Sequence, residues 1–174
     1  IADTPSQPRA AYDEAAIAEL AQDISANGLL QPPVGRVVDY AGKQPITEPR
    51  AWIDSLQAPG AAVQLAFGHR RLRAYRLLND QHPDEENFWR LPVDLRLLTD
   101  DQMAVMAWAE NQQRRDITAI EQAEAIQRMV ETLHWTQEQV AERLGISRPT
   151  VTNKLRLLRL PEDAVTYSQV ARFM

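Results

Sequence analysis

The chain has 174 residues, 44% of them hydrophobic and 25% charged, enough to bury a core in one domain or two small ones. It has no cysteine and three histidines, which excludes disulfides, thiolate zinc sites and cysteine nucleophiles and fits a cytoplasmic protein. No apolar run approaches the length of a membrane span, and the first residues read as neither a signal nor a transit peptide; the start at Ile1 is expected to mark a processed or truncated piece. The formal net charge is −5, against expectation for a polyanion binder, but its distribution matters more than the total. Four cations (Arg148, Lys154, Arg156, Arg159) and no acid lie between Ile146 and Leu160, and four more (Arg70, Arg71, Arg73, Arg76) between Gly68 and Arg76. Two basic islands in an acidic chain suggest two local anion sites.

Pro5, Pro8 and Arg9 read as an extended lead-in. Asp13 can cap a helix in which Ile17, Leu20, Ala21 and Ile24 follow helical spacing, and Asn27-Gly28 ends it. Val34–Val38 reads as a strand, and 39–61, rich in Pro, Gly and Gln, as an irregular excursion with a short helical turn near Trp52. Val63–Phe67 is a second strand, after which Gly68 turns the chain into a helix running to about Leu78. Residues 79–90 read as loop, and Leu91–Leu97 as a third strand with Val93, Leu95 and Leu97 on one face. Three capping boxes follow, Thr99…Gln102, Thr118…Glu121 and Thr136…Gln139, and predict helix starts near 100, 119 and 137. The expected class is α+β: a small mixed α/β domain over 1–115, then an all-α domain over 116–174.

Thr136–Arg159 has the layout of a helix-turn-helix. Val140 and Leu144 share a face, Gly145 supplies the turn, Ile146 can plug the core and Ser147 caps the second helix, with Pro149 in its first turn. Val151, Leu155 and Leu158 are expected inward, which leaves Arg148, Thr150, Asn153 and Lys154 outward, where a recognition helix enters the major groove. Arg and Lys suit guanine or phosphate, Asn suits adenine, and Thr suits either. With the caps included, the candidate DNA-contacting set is Thr136, Gln137, Ser147, Arg148, Thr150, Asn153 and Lys154. An ordinary helical hairpin with a solvated basic face shares part of this pattern; the full run TQEQVAERLGISRPTVTNKL favours DNA.

The turn from strand through Gly68 into HRRLRAYR could bind an anion at a helix start. Arg70, Arg73 and Arg76 could equally form a solvated face, and His69 alone reads as a surface residue. Glu110-Asn111 with Arg114 could hold a hydrated Mg²⁺ and a phosphate, although a polar helix end and linker is the simpler reading.

Taken in order, PSQPR (5–9), ELAQDISANGLLQP (19–32), GHRRLRA (68–74), ENQQRRDITAIEQAEA (110–125) and the helix-turn-helix through LRLLRLP (155–161) resemble the ParB/Spo0J family of chromosome and plasmid partition proteins. The resemblance implies a CTP-binding N-terminal domain and a helical domain that loads on double-stranded DNA at a parS-like palindrome. By position it implies a pocket for CTP and Mg²⁺ made by Gln31, Gly68, His69, Arg70, Arg71, Glu110, Asn111 and Arg114, with Glu110 and Asn111 toward the metal and Glu110 as the candidate catalytic group. It also implies CTP-gated self-association through the N-terminal domain into a sliding clamp, a ParA-type ATPase partner, and a place on the nucleoid or a plasmid. The family's GERR glutamate is His69 here, so slow CTP hydrolysis is left open. The 39–61 and 79–90 stretches look longer than the family's, which points to a divergent plasmid, phage or mobile-element member. The C-terminal dimerisation domain and the ParA-engaging segment are expected to lie outside this chain. Two alternatives are a repressor indifferent to CTP and a metal nuclease; the latter wants clustered acids, of which only Glu110 is well placed.

Overall fold

The computed structural model describes residues 14–39, 44–48, 52, 61–112 and 117–159. Packing divides the chain into two compact units, Ile1–Thr99 and Asp100–Met174.

In the first unit, α1 (Glu14–Asn27) is followed by β1 (Val34–Asp39), β2 (Ala61–Phe67), α2 (His69–Gln81), a 3₁₀ turn (Glu86–Phe88) and β3 (Asp94–Leu95). The Asp13 cap lies outside the described residues. The expected end of α1 is present: Gly28 takes φ 76 and donates its N–H to Ile24 O at 2.9 Å, the left-handed stop that glycine reaches without steric cost. The sheet has the order β2-β1-β3, β1 antiparallel to β2 and parallel to β3. A central strand is covered on both faces, and Val34–Val38 is buried throughout. Beyond β1 the chain doubles back, with Val38 bridged to Pro45, Ile46 N donating to Val37 O, and the indole of Trp52 donating to Ile46 O. Ile17, Ala21 and Ile24 of α1 meet Ala74, Tyr75 and Leu78 of α2 and Phe88 in one apolar cluster.

Two expectations are corrected here. Residues 79–90 are not all loop, because α2 continues to Gln81 and the 3₁₀ turn buries Phe88, whose ring meets Tyr75 edge-on at 6.3 Å. The third strand is two residues long rather than seven: β1 offers β3 only Val34 and Gly35 as partners, and Leu97 is 51% exposed.

The second unit holds α3 (Asp100–Gln112), α4 (Ala119–Thr132), α5 (Gln137–Leu144) and α6 (Arg148–Leu157), with the starts expected from the threonines at 99, 118 and 136. Its core gathers Trp108, Ile126, Met129, Trp135, Val140, Ala141 and Val151. Trp108 places α3 in this core, so the packing divide falls at Thr99/Asp100.

Candidate nucleic-acid interface

The two-helix element of the second unit is fixed at each joint by its own side chains. At the start of α5, Gln139 N donates to Thr136 Oγ1 (3.2 Å) while Thr136 N donates to Gln139 Oε1 (2.9 Å). Each half of this box satisfies a donor that the helix itself leaves unpaired. At its end Gly145 takes φ 66, and Ile146 N reaches back to Ala141 O at 3.0 Å, a Schellman-type closure. No atom lies within 4 Å of where a Gly145 Cβ would stand, so the backbone angle alone calls for glycine. Ile146 then packs on the core, and Ser147 Oγ caps α6 by accepting from Thr150 N at 3.2 Å, with Pro149 in the first turn.

Val151 is fully buried and Leu155 packs beside it, which fixes the inward seam of α6. Thr152 and Lys154 flank that seam. Thr152 Oγ1 donates to Gln137 Oε1 on α5 at 2.8 Å, and Lys154 Nζ donates to Gln122 Oε1 on α4. Arg148, Pro149, Asn153 and Arg156 are exposed, and Thr150 is half-buried. The seven candidates therefore separate by what they already do. Thr136 and Ser147 are caps, Gln137 braces Thr152, and Thr150 shares its hydroxyl with Ser147 Oγ at 2.8 Å. Arg148 and Asn153 stand outward, and Lys154 lies half-buried beside α4.

Sequence reasoning missed three participants. Arg156 shares the outward face with Asn153, one turn along. Gln122 lies 32 residues before the lysine it touches, so no local pattern announces it. Asp101 accepts from the buried indole Nε1 of Trp135 (3.0 Å) and from Arg143 (2.5 Å), whose guanidinium stacks 4.4 Å from the Trp135 ring centre. This cluster locks the first turn of α3 to the helix-turn-helix.

The candidate nucleotide residues divide between the units. In the first, Gly68 takes φ 95 at the start of α2, and a Cβ there would stand 2.7 Å from Pro33 Cβ and 2.9 Å from Pro33 Cα. Pro33 is itself held, because its carbonyl accepts from Asp94 N at 2.8 Å. Glycine is thus required by both angle and space, and α2 starts with no side-chain cap and no acid in its first turn. Arg71 Nη2 donates to Gln31 Oε1 at 3.2 Å, joining two candidates 40 positions apart. Arg70 is exposed and His69 half-buried. Glu110 and Asn111 occupy the last turn of α3 in the second unit, both half-buried, while Arg114 lies outside the described residues. Among the described residues no group of three or more His, Cys, Asp or Glu could hold a metal. A Mg²⁺ at Glu110 and Asn111 would have to arrive with phosphate oxygens, as this ion commonly does. No helix of the described residues is long and apolar enough to cross a membrane.

Residues 115–171 match the family model of the ParB HTH domain. A nucleoid occlusion protein of Bacillus cytotoxicus is 37% identical over 157 residues, 90% of this chain and 44% of the relative. One from Bacillus mycoides matches at the same identity and coverage. The chain thus spans less than half the length of these relatives. Among solved structures, C-terminally truncated ParB of Caulobacter crescentus, complexed to the centromeric parS site, matches with a TM-score of 0.54 and 28% identity, over 94% of this chain and 71% of that one. On the HTH domain, the shared fold and the 37% identity over 90% of its length, the chain belongs to the ParB/Spo0J family.

Proposed function

We propose that this chain is the DNA-loading part of a partition or nucleoid-occlusion protein, reading a parS-like palindrome with the outward face of α6. One observation carries this reading: a capped, core-anchored helix presents Arg148, Asn153 and Arg156 outward from a stretch that holds no acid. Arg148 and Asn153 supply the donors and acceptors that discriminate bases, at about 1–3 kcal/mol for a good bidentate contact. Selection of duplexes from a randomised pool, at stated salt, tests it. The expected result is a palindromic motif, bound roughly tenfold or more weakly by Arg148→Ala or Asn153→Ala. Enrichment of no motif sinks the reading.

The same proposal extends to CTP. The Gln31–Arg71 bond and the left-handed glycine start of α2 at Gly68, with no acid in its first turn, support an oxyanion site in the first unit. The family resemblance adds Glu110, Asn111 and Arg114, a carboxylate, an amide and a cation. When bound, CTP-Mg²⁺ would supply the triphosphate and metal that the family resemblance assigns to these residues, and with them the family's clamp closure by self-association. A ParA-type ATPase partner and slow hydrolysis belong to this layer and rest on the family resemblance. Calorimetric titration with CTP and Mg²⁺, with and without the selected duplex, is the test. Binding that falls in Arg71→Ala is expected; DNA affinity indifferent to CTP, in a chain that binds no CTP at millimolar concentration, would make the protein a nucleotide-independent repressor.

A further inference from the structure

A side-chain bond joins α6 to α5 at the edge of the outward face: Thr152 Oγ1 donates to Gln137 Oε1 at 2.8 Å. The same hydroxyl lies 3.2 Å from Arg148 O, one turn back in its own helix. A hydroxyl has one proton to give, and the shorter contact is to the amide. With Oε1 engaged, the Nε2 end of Gln137 keeps two N–H donors and has no partner among the described residues. Gln137 is the first residue of α5, half-buried, on a backbone fixed by the Thr136–Gln139 box. Thr152 stands next to the exposed Asn153 and one turn from the exposed Arg148.

We propose that Thr152 is a positioning residue for DNA recognition: it holds Gln137 Oε1 against α6, so that Nε2 is presented to a backbone phosphate beside the groove that Arg148 and Asn153 read. The inference rests on the DNA reading above and deepens it. Three features favour it. The free end of the amide only donates, and a phosphate oxygen only accepts. Neutral side chains commonly make such phosphate contacts, which fix register and leave sequence reading to the base-contacting residues. The donor is tied to α6 itself, so phosphate and base contacts share one frame, and a side chain ordered beforehand needs less ordering on binding.

The test measures Thr152→Val, Thr152→Ser, Gln137→Ala and the Val/Ala double variant on the duplex selected by the unaltered chain. Loss of a hydrogen bond to a charged oxygen predicts that Gln137→Ala binds about tenfold more weakly. The slope of log affinity against log salt should not change, because an amide displaces no counterion. Thr152→Val, which keeps the shape and loses the hydroxyl, should bind about threefold more weakly and add nothing once residue 137 is alanine, while Thr152→Ser restores binding. A scan of single methylphosphonates through the duplex should find one position that weakens the unaltered chain and leaves Gln137→Ala unaffected. The proposal is overturned if Gln137→Ala or Thr152→Val retains full affinity, if their losses add, or if no methylphosphonate position separates Gln137→Ala from the unaltered chain. It is equally overturned if weakened binding follows a fall in melting temperature that Thr152→Ser does not reverse, since that is a folding effect. Failure of the selection to return any motif would instead strike the DNA reading itself.

Discussion

Replacing Gly68 with alanine tests how the first unit shapes the start of α2. Two costs combine. The left-handed angle, φ 95, disfavours an L side chain by about 1–2 kcal/mol. The new methyl would also stand 2.7 Å from Pro33 Cβ and 2.9 Å from its Cα, and because Pro33 is fully buried and anchored to Asp94 N the overlap should add roughly 1–3 kcal/mol. Alanine stiffens the unfolded chain and returns about 0.5 kcal/mol. Gly28→Ala is the control: its φ is 76, but no atom lies within 4 Å of the added Cβ, so only the angular cost applies. Urea unfolding, with hydrogen exchange in β1 and β2 to locate the loss, should show Gly68→Ala less stable than Gly28→Ala by about 1–3 kcal/mol. Equal losses in the two variants would refute the argument that Pro33 requires a glycine at 68.

Ser147→Ala removes the cap of α6 and should cost about 1 kcal/mol in thermal unfolding, with a matching loss of helical signal before the main transition. Asp101→Ala leaves the Trp135 indole N–H, in a residue only 4% exposed, without its acceptor, at a cost of about 1–3 kcal/mol. The half-exposed Asp101–Arg143 pair contributes little beyond that, so the loss should persist at 1 M salt, on the order of full screening; near-UV circular dichroism of the tryptophans reads it. Burial raises the Tyr75 phenol above its ordinary value. Its contribution is therefore full below about pH 10, where both states hold the proton. It is lost as pH rises toward the folded value, because the unfolded chain ionises first. Tyr75→Phe should flatten the alkaline limb of a stability–pH curve, and an unchanged limb would refute that assignment.

What the sequence discloses here is mostly what short-range bonds decide. The starts of α4 and α5 were legible because each box closes within four residues, and the turn at Gly145 because a positive φ has few other occupants. On α6 one periodicity placed Arg148 and Asn153 outward correctly, but it also placed Thr150 and Lys154 there, which are half-buried. What stayed hidden depends on partners far along the chain. Arg36 is 5% exposed in a strand where a charge reads as solvent-facing; its guanidinium is received by Gln64 Oε1 and Leu98 O, 28 and 62 positions away. The alternation of Val93, Leu95 and Leu97 suggested a full strand, but strand length is set by what the neighbour offers. Phe88 looked like loop because its burial depends on Tyr75, and Gln122 carries no local signal for a lysine in another helix.

The bonds described for α6 to its neighbours end on the uncharged oxygens of Gln122 and Gln137, and the stretch from Ile146 to Leu160 contains no carboxylate. The apolar burial and hydrogen bonding described for the helix are forces that ionic strength barely touches, whereas its outward arginines act through charge, which ionic strength governs. Salt can therefore be raised to weaken polyanion binding while these contacts persist, and the slope of a salt titration counts released counterions.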